Sequence, residues 1–316
     1  MSKNINRDNI INFLADYGLY IGLGLISITF SILSPHFLRM GNIMNVLRQV
    51  SIIGVIASGM TFVILMGDFD LSVGSLVALS GVVVALLQVN LGFGTILSVI
   101  GALIFITLLG LLNGILIVKL HVPAFVATLG MMSAARGMAL ILSDGYPISG
   151  LTESFRTIGA GYFLGIPNPV IIYFASILIS YVVLSRMKFG RLVYGIGGNI
   201  EAVKLSGINT DKYRIMIFGI SAFAAAVSGI ILAARINSGQ PTAGTGFELD
   251  VIAAVVIGGT SLSGGKGGVI GTFFGALLVG VLGNGLNLLG VSSFYQQLAQ
   301  GIVIVIAVMA DQFRKN

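Results

Sequence analysis

The sequence has no cysteine, and only 9% of its 316 residues are charged. The absence of cysteine excludes disulfide bonds and thiolate metal sites. A soluble protein carries charge at about a quarter of its positions, so this chain has too few charged side chains to cover a water-facing surface. Hydrophobic residues make up 56% of the chain, and the mean hydropathy is +1.03. This composition predicts an integral membrane protein.

Motifs for metal binding and for nucleotide hydrolysis are missing as well. The two histidines, His36 and His121, stand singly, and no cluster of His, Asp and Glu has the spacing of metal ligands. No GxxxxGK(S/T) motif occurs, so any ATP used is hydrolysed by another subunit. The segment GGKGG at 264–268 leads into an apolar helix and is interpreted as a glycine-rich turn. The net charge of +6 is attributed to cytoplasmic loops rather than to nucleic-acid binding.

Glycine, in contrast, is abundant, with 44 residues. Small residues allow membrane helices to pack backbone to backbone and to break where a cavity is lined. Because a span needs about 20 apolar residues, we predict an all-α fold of about ten transmembrane helices in a single domain, 1–316. The predicted helices lie near 17–33, 49–66, 71–90, 95–118, 123–142, 169–186, 214–234, 250–262, 267–289 and 295–311. The first is interpreted as a retained span rather than a signal peptide, because the N-terminus is polar for too long.

The positive-inside rule sets the predicted orientation. The segment 187–214 carries five Lys or Arg residues, whereas the loop 143–168 carries only Arg156. With an even number of helices, both termini and 187–214 are expected on the cytoplasmic side, and 143–168 is expected outside. Arg39 and Arg48 in the first external loop do not follow the rule.

Two glycine-rich segments suggest an internal repeat. GDFDLSVG at 67–74 aligns with GGTSLSGG at 258–265, with four of eight positions identical. We interpret them as a parallel repeat, and chance similarity in a glycine-rich chain is the alternative. Asp68 and Asp70 are candidates for the cation or proton site of an ion-coupled transporter. The second copy has no carboxylate, which favours a helix break in which Asp70 caps the next helix.

The polar segment 188–214 has the pattern of a short capped helix. Asn199 is the predicted N-cap of a helix that begins at Ile200. Gly207 is predicted to end that helix, with Ile208 making the accompanying hydrophobic contact. Because so short a helix is not stable alone in water, it is expected either to lie on lipid headgroups or to dock into a cytoplasmic partner.

Several strings resemble one protein family. Glu201-Ala202 followed by Gly207 resembles the cytoplasmic coupling motif of ABC-transporter permeases. The wider string GRLVYGIGGNIEAVKLSGI is similar to the loop of the sugar-importer branch of that superfamily. Further strings that resemble this branch are DLSVGS at 70–75, QPTAGTGFELDVIAAVVIGGTSLSGGKGG at 240–268 and NGLNLLGVSSFYQ at 284–296.

The resemblance implies the membrane permease of an ATP-driven, binding-protein-dependent sugar importer, with a type II importer-like fold and a coupling helix between the sixth and seventh spans. It also implies a homodimer in the bacterial inner membrane, a cytoplasmic ATPase that holds ATP and Mg²⁺, and an extracytoplasmic sugar-binding protein. The chain itself is expected to bind no cofactor and to catalyse no reaction. The expected cargo is ribose, and other pentoses, hexoses and related furanoses stay open. An ion-coupled secondary transporter is the alternative function, and a channel is disfavoured because no filter-like ring of residues is apparent.

The resemblance assigns ATPase coupling to the loop. The expected coupling residues are Gly190, Arg191, Asn199, Glu201, Ala202, Ser206, Gly207 and Ile208. The aromatic side chains Phe189, Tyr194 and Tyr213 are expected either to pack against the ATPase or to anchor the loop at the membrane interface.

Inside the membrane, the candidate pathway or structural residues are Asp70, Ser72, Gly74, Arg136, Asn284 and Asn287. Arg136 lies about 20 Å along a helix from Pro123, so it is expected to pair with Asp70 or to snorkel to the outer surface. The amides are expected either to bond sugar hydroxyls or to join helices. The family usually has Gly-Gly-Ile where this chain has Gly67-Asp68-Phe69, so Asp70 matches the family pattern and Asp68 does not.

The segment 239–250 is expected outside the membrane. Its carboxylates, Glu248 and Asp250, would there contact the binding protein, or Asp250 would be the N-cap of the following helix.

Overall fold

Long helices make up most of the computed structural model, which describes residues 7–292, 294–298 and 301–302. The described helices are α1 (Arg7–Leu33), α2 (Met40–Leu65), α3 (Val73–Ala85), α4 (Thr95–Lys119), α5 (Ala124–Leu142), α6 (Glu153–Ala160), α7 (Asn168–Arg186), α8 (Lys188–Leu205), α9 (Thr210–Ile236), α10 (Phe247–Ile257) and α11 (Val269–Leu288). Helix α3 continues into a π-helical turn, Leu86–Asn90. Two short antiparallel pairs are formed by β1 (Ile148–Ser149) with β4 (Ser238–Gly239) and by β2 (Tyr162–Phe163) with β3 (Ile166–Pro167).

Seven of the described helices are long and apolar enough to cross a membrane: α2, α3 with its π-helical turn, α4, α5, α7, α9 and α11. The apolar part of α1, Tyr17–Leu33, is shorter. At 1.5 Å per residue, α10 is about 16 Å long and covers only half of a hydrocarbon core of about 30 Å. The predicted tenth helix, 295–311, and the basic tail fall largely outside the described residues, so the count of ten stays a prediction.

Most predicted spans agree with the observed helices to within a few residues. The main differences are the starts of α1 and α2, which lie at Arg7 and Met40 rather than near residues 17 and 49. Helix α6 and the β2–β3 hairpin lie in the segment 143–168, where the sequence predicted only a loop. Helix α8 includes the predicted short helix that begins at Ile200, but it is preceded by a helical part, 188–198, that the sequence did not predict.

The centre of the bundle is α9, which packs against α2, α3 and α4. In the most apolar stretches of α2, α3 and α9, 67–78% of the residues are buried, compared with 22–28% in α4, α5 and α7. Glycines allow the close approach of these helices: a side chain at Gly59 would collide with Ala224, and one at Gly110 would collide with Ala222. The surplus of glycine therefore serves helix packing, as predicted.

Candidate functional site

Helix α8 is bent into two parts at Asn199, which has extended backbone angles (φ −160°, ψ 96°). The Asn199 side-chain oxygen accepts a hydrogen bond from the Ala202 N–H at 3.0 Å, so it caps the second part as predicted. Gly207, with φ +77°, then ends that part, and its N–H donates to the Lys204 carbonyl at 2.9 Å. We call 188–198 the docked half and 200–205 the exposed half.

The exposed half packs against the bundle through Ile200 and Val203 and presents its other side to the surroundings. Leu205 is 89% exposed, and Glu201 forms an ion pair with Lys204 at 3.0 Å on the helix surface. The expected coupling residues that are exposed are Arg191, Asn199, Glu201, Ala202, Ser206 and Gly207, and Ile208 is half-buried. Gly190 differs, because it is buried and a side chain there would collide with the Leu184 carbonyl. Gly190 therefore occupies a packing position against α7 and not a position on the exposed surface.

The docked half packs against the bundle through apolar and aromatic side chains. The Phe189 ring lies 6.3 Å from the Phe62 ring and 5.8 Å from the Tyr213 ring, measured between centroids. The Tyr194 hydroxyl donates to the Gly267 carbonyl at 2.9 Å, and partial burial raises the pKa of this phenol. These three aromatic residues thus hold α8 against α2, α9 and the loop 258–268, rather than forming an outward-facing surface for the ATPase.

The two glycine-rich segments end their preceding helices in the same way. Gly67 (φ +88°) follows α2 and Gly259 (φ +86°) follows α10, and the N–H of each donates to the carbonyl three residues earlier, at 2.9 and 2.8 Å. The next N–H groups, of Asp68 and Thr260, donate to the carbonyls five residues earlier, at 3.1 and 3.2 Å. This is a Schellman helix stop in both copies. The shared helix stop aligns Gly67 with Gly259. The sequence alignment paired Gly67 with Gly258, so the register of the repeat is corrected by one residue.

Asp70 is fully buried, and its carboxylate accepts hydrogen bonds from two serine residues. Its Oδ1 accepts hydrogen bonds from the Ser72 N–H at 3.0 Å and from the Ser72 hydroxyl, and its Oδ2 accepts one from the Ser221 hydroxyl at 2.8 Å. Asn113 in α4 donates to the Ser72 hydroxyl at 3.3 Å. Ser72, which directly precedes α3, has helical backbone angles and makes no side-chain cap bond. The bond from the Ser72 N–H to Asp70 is the one expected of a capping aspartate. Asp70 also ties the break before α3 to α9.

Arg136 reaches from α5 to backbone carbonyls and does not pair with Asp70. Its Nη1 donates to the carbonyl oxygens of Pro241 at 2.6 Å and Ala243 at 2.8 Å. Both belong to the turns at 240–246 that precede α10. Irregular backbone inside a membrane protein needs such internal donors, because lipid offers none. The expected Asp70–Arg136 ion pair is therefore replaced by a clamp on the unwound segment.

That unwound segment runs back into the bundle along α3, in contrast to the external position expected for 239–250. Gly239 packs against the Gly81 carbonyl. Gly244 packs against the Gly74 carbonyl, which lies nearer the start of α3. The N-cap of α10 is Gly246 (φ +86°), so the alternative in which Asp250 caps this helix is wrong. The region is an unwound segment followed by a helix of half the membrane thickness, and broken helices of this kind are found where transporters line their pathways.

Two further polar contacts join helices. Asn284 exchanges a pair of hydrogen bonds with Asn42, each 3.0 Å long, which is the helix-joining role expected for the amides. Asn287 is exposed, and within the described residues its side chain does not link α11 to another helix. Asp68 forms an ion pair with Arg214 at 2.9 Å, with 18% and 23% of the two side chains exposed. Sequence reasoning missed this pair, because no local pattern connects residues 146 positions apart.

Comparison with known proteins identifies the family. A family model described as the permease component of the branched-chain amino acid transport system matches residues 42–308. The chain belongs to this permease family. It is 49% identical to a ribose import permease of Bacillus subtilis, over 98% of this chain and 96% of that protein. It is 42% identical to a probable ABC transporter permease of Escherichia coli, over 94% and 89% of the two chains. It is 38% identical to an L-arabinose transport system permease of the same species, over 95% and 91%.

No solved structure matches this permease. Family membership makes it a multi-pass membrane protein and a transport component rather than an enzyme. Permeases of ABC importers work with an ATPase and a substrate-binding protein, so both kinds of partner are implied for this chain. Within the permease, α8 lies at the end of the bundle where α2 ends, and the segment 239–257 passes from the opposite end to that end, first as unwound backbone and then as the short helix α10.

Proposed function

We propose that this permease is the membrane-spanning subunit of an ATP-driven ribose importer, acting as one of two identical copies in the bacterial inner membrane. The observation that carries the proposal is the division of α8 into a docked half and an exposed half, at the loop that matches the coupling motif. A capped helix with an exposed apolar side chain, Leu205, is suited to bind in a groove on a cytoplasmic ATPase. The ATPase would hold ATP and Mg²⁺, and this chain would hold neither.

In this mechanism, closure of the ATPase displaces the exposed half. The docked half transmits the displacement to α2 and α9 through the contacts of Phe189 with Phe62 and Tyr213. Helix α9 in turn holds Asp70 through Ser221, next to the break before α3. The unwound segment lies along α3 and is held by Arg136. Movement of α9 relative to α3 would therefore alter the part of the bundle that can line a pathway.

The choice of ribose follows from overall similarity. The 49% identity with a ribose import permease exceeds the 38% identity with an L-arabinose permease, at similar coverage. A soluble binding protein would deliver the sugar at the face opposite α8, and the permease would need only weak contacts with it.

The ion-coupled alternative requires a pair of free carboxylates, and the geometry does not favour it. Asp68 is neutralised by Arg214, and both oxygens of Asp70 already accept hydrogen bonds from serine groups. No group of three or more His, Cys, Asp and Glu residues that could hold a metal ion occurs within the described part of the chain.

Reconstitution tests the proposal. The permease is placed in liposomes with and without its ATPase and binding protein, and uptake of labelled ribose is measured under ATP and under ion gradients, with L-arabinose as the competitor. We expect ATP-driven uptake that requires all three proteins. Unlabelled ribose should compete with the labelled ribose better than arabinose does. Uptake by the permease alone under a proton or sodium gradient would overturn the importer assignment. ATP-driven uptake of arabinose in preference to ribose would overturn the choice of sugar only.

A further inference from the structure

Three glycine-containing segments from distant parts of the chain meet beside α8. They are the end of α2 at Leu65, the docked half at Gly197 and the loop 258–268 at Gly265. The Leu65 carbonyl accepts a hydrogen bond from the Gly265 N–H at 2.9 Å. A side-chain carbon at Gly197 would overlap the Leu65 carbonyl oxygen and would lie 2.6 Å from the Gly265 nitrogen. We call this meeting of three backbones the glycine junction.

Hydrogen bonds hold the loop 258–268 in place within the glycine junction. Within the loop 258–268, the Ser261 N–H donates to the Lys266 carbonyl at 2.9 Å, and the Gly264 N–H donates to the Ser261 carbonyl at 3.0 Å. The Tyr194 hydroxyl bonds the Gly267 carbonyl one turn before Gly197. The docked half therefore contacts the loop at two places. One contact is made by the Tyr194 side chain, and the other is made by the backbone of Gly197.

The junction joins both copies of the repeat to the same turn of α8. Leu65 is the last residue of α2, two positions before the helix stop at Gly67, and Gly265 lies in the break that begins at Gly259. A Cβ at Gly67 would itself lie 3.6 Å from the Ser263 carbonyl oxygen, so the two breaks also touch each other. Any displacement of the docked half at Gly197 consequently acts on both breaks at once.

We propose that Gly197 is a positioning residue for coupling, which passes the displacement of the exposed half to the breaks after α2 and α10. This proposal rests on the proposed function, because it presumes that an ATPase moves α8. Packed protein interiors are dense and transmit strain, and a contact between two backbones has no side-chain rotamer that can absorb a displacement. Gly197 lies two residues before the bend at Asn199, where the exposed half joins the docked half.

The adjacent glycine supplies a matched control. A Cβ at Gly198 has no atom within 4 Å, whereas one at Gly197 overlaps backbone. Replacement of either residue by alanine adds the same methyl group in neighbouring positions. Only Gly197→Ala is expected to separate α8 from Leu65 and Gly265.

The experiment compares these variants in liposomes that contain the permease, its ATPase and its binding protein. The readout is sugar taken up per ATP hydrolysed, together with the amount of ATPase that co-purifies. For Gly198→Ala we expect wild-type values of both. For Gly197→Ala we expect normal co-purification and continued ATP hydrolysis, with uptake per ATP reduced by about tenfold or more, as overpacking displaces the contact. A wild-type ratio in Gly197→Ala would overturn the proposal.

A second variant keeps the test decisive if Gly197→Ala does not assemble. Tyr194→Phe removes the hydroxyl bond to Gly267 without adding an atom, and we expect a reduction of about threefold in uptake per ATP, the effect of one hydrogen bond. An unchanged ratio in Tyr194→Phe would count against the junction. Failure of the wild-type permease to bind an ATPase or to import sugar with ATP would instead overturn the proposed function, so the two failures are distinguishable.

Discussion

Replacement of Arg136 by glutamine tests whether the position of the unwound segment before α10 depends on a single guanidinium. In the structure, one nitrogen of Arg136 donates to the carbonyls of both Pro241 and Ala243. Glutamine is shorter and uncharged, so it cannot reach both carbonyls. The variant therefore leaves unwound backbone without its internal donor, in a part of the bundle where lipid offers no replacement.

The magnitude follows from the two bonds. A hydrogen bond to a charged group contributes about 1.5–3 kcal/mol, which gives an upper range of about 3–6 kcal/mol for two. Because both bonds share the same Nη1 atom, their contributions are not independent, and we expect a loss of about 3 kcal/mol in the free energy of unfolding. Transport is expected to fall with it, since the segment 239–257 would lose its position along α3.

The assay is unfolding of the purified permease in mixed micelles, with uptake measured in parallel. Arg156→Gln is the control, because Arg156 forms an exposed ion pair with Glu153, and such pairs contribute about 0–1 kcal/mol. A loss for Arg136→Gln no larger than that of the control, with normal uptake, would refute the clamp. Asp70→Asn combined with Arg136→Gln should be additive within about 0.5 kcal/mol, because the two residues do not pair. A larger coupling energy would restore the ion pair expected from the sequence.

Two further substitutions test other parts of the structure. Leu205→Cys, in a chain without native cysteine, should react with a water-soluble maleimide and become protected when the ATPase binds. Leu164 is equally exposed, at 87%, and Leu164→Cys should be labelled from the opposite side of the membrane without protection by the ATPase. Protection of both sites or of neither would contradict the coupling role of α8. Gly74→Ala would place a methyl group against the Gly244 carbonyl, so we expect a loss of about 1–3 kcal/mol in unfolding experiments. Gly24→Ala, where no atom lies within 4 Å, should be neutral, and equal stability of the two variants would exclude the close packing of the unwound segment against α3.

Features that depend on neighbouring residues were predictable from the sequence. The spans of α4, α5, α7 and α9 follow from unbroken apolar runs, because a membrane helix satisfies its own backbone hydrogen bonds. The cap at Asn199 and the stop at Gly207 are equally local, since each uses bonds to residues three or four positions away. Boundaries in mixed regions were less predictable, as the early start of α2 at Met40 shows.

The polar contacts inside the bundle were not predictable in the same way. Asp70 and Arg136 are the natural ion pair when only charges are counted, yet serine hydroxyls satisfy one and backbone carbonyls satisfy the other. Asp68, which departs from the family pattern, forms the ion pair that Asp70 does not. In an apolar surrounding, any donor or acceptor on an adjacent helix can satisfy a buried group, so its partner depends on which helices are neighbours.

The sequence by itself determined the class of the molecule, its membrane spans, its capped helix after Asn199 and its two glycine stops, because composition, periodicity and backbone preference act over short distances. Only the tertiary structure decided that 239–250 turns back along α3, that Arg136 clamps it, and that Gly67, Gly197 and Gly265 converge. Each of these depends on the approach of segments far apart in the chain. Glycines permit such approaches in many combinations, and the packing of whole helices selects one of them.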